Sequence, residues 1–194
     1  MLRIVGGALS GRRIPTPAGK GTRPTAERVR EGLASALEAR DRLREAQILE
    51  LFAGTGALSF EALSRGASRA LLVDRERRLV AAIRESAASL GLESRARGVA
   101  LDLLASPALV ASKIAALLDE PADLVFADPP YAQIAALPPL LEALAAGGAL
   151  SADALLVIEH GGKIPLESLG ALERIHEYRY GDTRVVLAEI SARL

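Results

Sequence analysis

The feature that most restricts the fold is an alternation that begins at Gln47, in which short apolar runs of strand length are each followed by a helical pattern. The runs are QILELF (47 to 52), RALLVD (69 to 74), RGVALD (97 to 102), DLVFAD (123 to 128) and ALLVIEH (154 to 160). Runs that are apolar on both faces belong to parallel strands covered on both sides. The spacing predicts helices over 57–65 closed by Gly66, 77–90 closed by Gly91, 107–118, and 134–146 closed by Gly147 and Gly148. This is a doubly wound α/β layout with helices on both faces. After it, RIHEYRYGDTRVVLAEI (174 to 190) reads as two strands joined at Gly181 and Asp182, so the sheet is expected to end in an antiparallel hairpin. Before it, TAERVREGLASALEARDRL places Val29, Leu33 and Leu37 four apart behind Thr25, the pattern of an amphipathic helix laid on the body.

Composition removes several classes of function. The chain has no cysteine and two histidines, His160 and His176, which excludes a disulfide framework or a thiolate metal site and leaves no typical zinc centre; no metal is expected. The two histidines read as surface or sheet-edge residues. The opening MLRIVGGALSGRRIP lacks the plan of a secretory signal, and prolines, glycines and acids interrupt the apolar stretch from Leu137 to Ile158, so a soluble cytoplasmic protein is expected. A net charge of zero hides an asymmetry: residues 1–30 carry seven basic side chains (Arg3, Arg12, Arg13, Lys20, Arg23, Arg28, Arg30) against Glu27 alone. A phosphate-contacting arm and a solvated basic face explain this equally well.

ELFAGTGALS (50 to 59) sends a buried strand through Gly54 and Gly56 into a helix, which lets a ligand approach the backbone. Asp74 ends the second strand 18 residues after Gly56, where an acid can accept from ribose hydroxyls, and Asp102 ends the third. Each acid alone reads as a solvated strand end. Three consecutive strands closing in a glycine turn, an acid and an acid along one sheet edge favour an adenosine ligand. Glu50, just before the turn, would repel a pyrophosphate and suits a ligand carrying positive charge, which favours S-adenosylmethionine over NAD.

Asp128 ends the fourth strand, so Asp128-Pro129-Pro130-Tyr131 opens on the same edge. An exocyclic base amine is a poor nucleophile, and two fixed oxygens accepting its N–H groups aim its lone pair. The Asp128 carboxylate and the Pro129 carbonyl would supply them, the prolines stiffen the loop, and Tyr131 stacks on a flipped base. In isolation Asp-Pro-Pro reads as a proline turn; beside an adenosine site it reads as an amine-methylating loop.

These residues resemble a known family. Asp128 to Tyr131 resembles the amino-methyltransferase motif of class I S-adenosylmethionine enzymes, and LELFAGTGALSFEALSRGA (49 to 67) resembles their first motif. With RIVGGALSGRRI (3 to 14), TRPTAERVREGL (22 to 33) and YGDT (180 to 183), the chain resembles the bacterial 16S ribosomal RNA guanine-N2 methyltransferases of the RsmD type. The resemblance implies a Rossmann-like, seven-stranded, mostly parallel sheet, S-adenosylmethionine as donor with S-adenosylhomocysteine as product, and one guanine of 16S rRNA as acceptor. It places Glu50, Gly54 and Gly56 at the methionine part, Asp74 at the ribose, and Asp102 with Leu103 at the adenine, within a cofactor set that includes Phe52, Ala53, Thr55 and Arg75. Asp128, Pro129, Pro130 and Tyr131 would hold the guanine amine. Arg3, Arg12, Arg13, Lys20 and Arg23 would contact RNA. One departure is visible: Glu27, preceded by Ala26, stands where the family often has Asp. Residues 1–45 then form an arm and helix that pack on the core and touch RNA, and 46–194 the catalytic domain. Forty-five residues are too few for a separate reader domain, so target choice is expected to rest on folded RNA in a 30S assembly intermediate, read by a monomer with no obligate protein partner and no membrane. The rival readings are an amino-group methyltransferase for another base, such as adenine-N6 in DNA or RNA, an NAD-binding oxidoreductase, and an RNA-binding relative without activity.

Overall fold

The computed structural model describes residues 2–15, 24–161, 172–180 and 183–190; Lys20, Arg23 and the Gly181–Asp182 turn lie outside them, as do the side chains of Thr25 and Tyr131. The chain opens with two short strands, β1 (Leu2–Arg3) and β2 (Arg13–Ile14), and helix α1 (Pro24–Glu38). The alternation follows as β3 (Gln47–Leu51), α2 (Ala57–Ser64), β4 (Arg69–Asp74), α3 (Arg77–Leu90), β5 (Ala96–Ala100), α4 (Pro107–Ala115), β6 (Ala122–Ala127), α5 (Leu137–Ala146) and β7 (Leu150–Gly161). Strands β8 (Leu172–Tyr180) and β9 (Thr183–Ile190) end it.

Strands β3 to β9 form one seven-stranded sheet in the order β5-β4-β3-β6-β7-β9-β8. The first five are mutually parallel, and β9 runs antiparallel between β7 and β8, as the hairpin reading expects. Two apolar layers cover the sheet. One joins Val29, Leu33 and Leu37 of α1 to Phe60, Ile83 and the sheet residues Ile48, Leu72, Phe126 and Val157. The other joins Val110 and Ile114 of α4 and Leu140 and Leu144 of α5 to Leu49, Leu51, Val125 and Leu156.

Local chemistry explains where element ends differ from the sequence reading. Pro138 and Pro139 lack amide donors and are tolerated only in a helix's first turn, so α5 begins at Leu137 and the residues before it, Tyr131–Ala136, wind as a 3-10 helix. Helix α4 stops at Ala115 rather than 118, because the Leu117 and Leu118 amides both turn back to the Ile114 carbonyl. Strand β5 ends at Ala100, so Asp102 lies two residues past it; there its Oδ1 accepts the Leu104 amide at 3.1 Å. His160, expected at the surface, is 3 % exposed because β7 is an interior strand, whereas His176 is exposed on the edge strand β8.

The N-terminal segment is docked rather than free. Ile4 and Ile14 are buried in the same layer as α1 and α2. Glu61, 1 % exposed, accepts the amides of Val5 and Gly6 at 2.8 Å each and pairs with Arg65 at 2.8 Å and Arg30 at 3.9 Å. Arg30 also donates to the Arg3 carbonyl at 2.8 Å, so one of the seven basic side chains is spent inside the protein. Gly7 has φ 77° and approaches α2 so closely that a Cβ would lie 2.0 Å from the Ser64 carbonyl oxygen.

Candidate active site

The chain runs outward through β3, β4 and β5, then crosses back to β6 on the other side of β3, so the order reverses between β3 and β6. Ligands of open α/β sheets bind beyond the strand ends at such a reversal. The glycine turn leaves β3 there, and Asp128 leaves β6 beside it, since Leu51 pairs with Ala127 in register.

Three residues of the turn, Phe52 (φ 56°), Gly54 (φ 58°) and Gly56 (φ 73°), occupy the left-handed region, which aromatic side chains rarely adopt. Backbone held in such sparsely populated regions clusters at ligand-binding turns. Gly56 is needed for space as well, because a Cβ would lie 2.4 Å from Leu72 Cδ2. Asp74, 8 % exposed, fastens the turn: its Oδ2 accepts the Gly54 amide at 2.8 Å and its Oδ1 the Glu76 amide at 2.9 Å. Glu50, 5 % exposed, accepts the Ser59 amide in the first turn of α2 at 3.0 Å. That carboxylate occupies a helix-terminal donor which a dinucleotide's pyrophosphate would require, so the turn suits a cationic ligand better than NAD.

Strand alternation collects the acids on one face. Ile48, Leu72, Phe126 and Val157 all lie in the layer under α1–α3, and two residues further along each strand the same face carries Glu50, Asp74, Asp128 and Glu159. Burial lifts the Glu50 carboxyl from its ordinary 4.5 to about 7, the Ser59 amide opposing and Asp128 and Asp74 adding to the rise. Burial, then Asp128, lifts Glu159 to about 7 as well. Glu159 is an acid of this rim that the sequence reading passed over; its signal was an acid inside an otherwise apolar parallel strand.

Of the remaining expected cofactor residues, Ala53 and Leu103 are buried, Thr55 is half-buried, and Arg75 and Asp102 are exposed. Asp128 and Pro130 are exposed and Pro129 is buried between them. The turn, its two carboxylates and the exposed Asp102 match the chemistry of S-adenosylmethionine: room at the glycines, anions for its cationic end and acceptors for its ribose. Bound there, it supplies an electrophilic methyl group. Arg3 pairs with Glu27 at 3.2 Å, Arg12 donates to the Ser89 carbonyl at 2.6 Å, and Arg13 is exposed.

The two raised carboxyls make stability depend on pH in a definite direction. Each keeps its proton in the folded state after the unfolded chain has released it, so its contribution is full below pH 4.5 and is lost as pH rises to about 7. For Glu50 this amounts to about 3 kcal/mol. Urea unfolding of the ligand-free protein at pH 5 and pH 8 should therefore show a smaller loss of stability in Glu50→Gln/Glu159→Gln than in the parent; equal losses would refute it.

Solved structures share this architecture. The Escherichia coli protein yhhF superposes with a TM-score of 0.78 at 31 % identity over 99 % of each chain. The magnesium protoporphyrin IX methyltransferase of Synechocystis, solved with bound SAM, shares the fold at a TM-score of 0.63 and 15 % identity, over 88 % of this chain and 86 % of that one. Fold and site thus define a Rossmann-like class I methyltransferase that uses S-adenosylmethionine. Residues 2–189 match the family described as Conserved hypothetical protein 95, and ribosomal RNA small subunit methyltransferase D of Escherichia coli (strain K12) is 35 % identical over 81 % of this chain and 74 % of its own. The chain belongs to this family, that of the RsmD-type methyltransferases.

Proposed function

We propose that this protein methylates the exocyclic N2 of one guanine in 16S ribosomal RNA, presented within a 30S assembly intermediate, and that it works as a cytoplasmic monomer. The observation that carries the reading is the adjacency of β3 and β6, which brings the glycine turn and the Asp128 loop to one rim. The relative named ribosomal RNA small subunit methyltransferase D supports RNA as acceptor. Among the described residues no helix is long and apolar enough to cross a membrane.

In this reading Glu50, Phe52 to Gly56, Asp74, Arg75, Asp102 and Leu103 hold the donor. The Asp128 carboxylate and the Pro129 carbonyl accept the two N–H groups of the guanine amine and orient its lone pair. Most of the acceleration is positioning. Tyr131 stacks on the base, an interaction worth about 1–3 kcal/mol in single-strand binders. Residues 1–45 serve recognition and 46–194 catalysis, although both share one apolar layer.

Arg3, Arg12, Arg13, Lys20 and Arg23 contact RNA phosphates. Converting Arg12 and Arg13 to alanine should weaken RNA binding and lower the slope of log affinity against log salt by roughly 1.4–1.8, while S-adenosylhomocysteine affinity stays unchanged. Filter binding between 50 and 200 mM salt checks this; an unchanged slope would remove the arm from the interface. The whole reading is tested by offering labelled donor with under-methylated 30S subunits, naked 16S RNA and DNA, followed by mass spectrometry of the modified nucleoside. N2-methylguanine in the subunits is expected, and label in DNA alone would reject it.

A further inference from the structure

The reading above explains how a base amine is held, but Asp128 and Pro129 would hold the amine of adenine equally well. Something must distinguish the two purines. We propose that Glu159 reads the Watson–Crick edge of the target base, accepting the N1–H of guanine while Asp128 and Pro129 hold the neighbouring 2-amino group. This assignment rests on the guanine reading.

Three observations place Glu159 in that role. Ala127 and Ile158 are partners in the parallel β6–β7 register, so Asp128 and Glu159 leave adjacent strands at the same level. Both follow residues whose side chains alternate onto the face under α1–α3, Phe126 and Val157, so both carboxylates are delivered to one side of the rim, and Asp128 is close enough to raise the Glu159 pKa. Finally, Glu159 is the only charged residue in the Ala154–Ile158 run and its immediate continuation, in a strand whose five preceding residues are all buried. An acid at such a position costs stability unless something is gained. Its charged neighbour on the rim is the acid Asp128, and among the described residues no hydrogen bond or salt bridge ties its carboxylate to a protein donor.

Guanine offers what this arrangement lacks. Its edge presents two donors side by side, N1–H and the 2-amino group, matched by two carboxylates on adjacent strands. Adenine presents a bare N1 lone pair next to its amine, so an ionised Glu159 would set an acceptor against an acceptor and leave both without a partner. Sites built around a hydrogen bond to the substrate reject analogues that lack the partner by large factors.

The experiment uses reconstituted small subunits whose 16S RNA carries either guanine or 2-aminopurine at the methylated position. 2-Aminopurine keeps the 2-amino group but has no N1–H. Affinity is measured in the presence of S-adenosylhomocysteine, and methyl transfer separately. The parent protein should prefer guanine by about a hundredfold or more, Glu159→Gln should narrow that ratio at least about tenfold, and Glu159→Asp should retain most of it. Melting temperature and S-adenosylhomocysteine affinity report whether each variant is folded. A parent that binds both bases alike, or a folded Glu159→Gln with the parent's ratio, overturns the assignment while leaving guanine methylation standing. A parent that modifies no guanine in any substrate overturns the underlying reading, and the role of Glu159 with it.

Discussion

Asp128→Ala is expected to reduce methyl transfer to RNA by about a hundred- to a thousandfold while leaving S-adenosylhomocysteine affinity within about threefold of the parent. The side chain lies at the end of β6, exposed on the rim rather than in the packed layers, so its loss removes no core contact. What it removes is a fixed acceptor aimed at the reacting nitrogen, and deleting one preorganised hydrogen-bonding group of that kind costs on the order of 10²–10³ in rate. Asp128→Asn should lose less than Asp128→Ala, since its carboxamide oxygen can still accept one N–H of the amine, though without the carboxylate's charge. Single-turnover kinetics with saturating donor measures the effect; transfer within tenfold of the parent would remove Asp128 from the chemistry. The split between lost turnover and retained donor affinity separates this outcome from unfolding.

Glu61→Ala should destabilise the protein by about 3–5 kcal/mol, the range for removing one partner of a buried ion pair. The carboxylate is almost wholly enclosed, and its loss takes the near counter-charge from the buried Arg30 guanidinium and the acceptor from the Val5 and Gly6 amides together. Arg65 suffers less because it keeps Glu38. Urea unfolding would report the change, and a loss below about 1 kcal/mol would show that water readily replaces the carboxylate. Proteolysis is expected to cut the variant first between residues 2 and 15, where the lost amide acceptors leave the backbone least held.

Much of this architecture could be read in advance where local chemistry decides it. Strand β4 ends at Arg69 and Asp74 and α3 at Arg77 and Leu90, as the sequence suggests, because charged residues bound the apolar run and Gly91 supplies a left-handed cap. The rim was legible for a topological reason: a right-handed parallel sheet puts all its strand ends on one edge, so residues at run ends meet wherever the order reverses. Features fixed by distant partners were not legible. Strands β1 and β2, two residues each, are too short to show a period, and they exist because Leu2, Ile4 and Ile14 find an apolar layer built by later residues. Arg30 read as one more member of a basic segment, since nothing nearby announces that its partner is Glu61, thirty-one positions on. Glu159 was hidden by the run that contains it: an apolar strand pattern absorbs a single acid without changing the strand reading.

Helix α2 is only eight residues long, yet it is gripped at two points by unrelated structures. The Ser59 amide is held by Glu50 at the sheet rim, and two positions later Glu61 holds the N-terminal segment. One inserted residue between them would rotate the second grip by about 100° relative to the first, and no relaxation confined to the helix could restore both. The length of this helix is therefore frozen, whereas the stretch through Gly147 and Gly148, which lies at the far end of the sheet and whose second glycine has nothing within 4 Å of an added Cβ, is where a tag or an inserted loop should be accommodated.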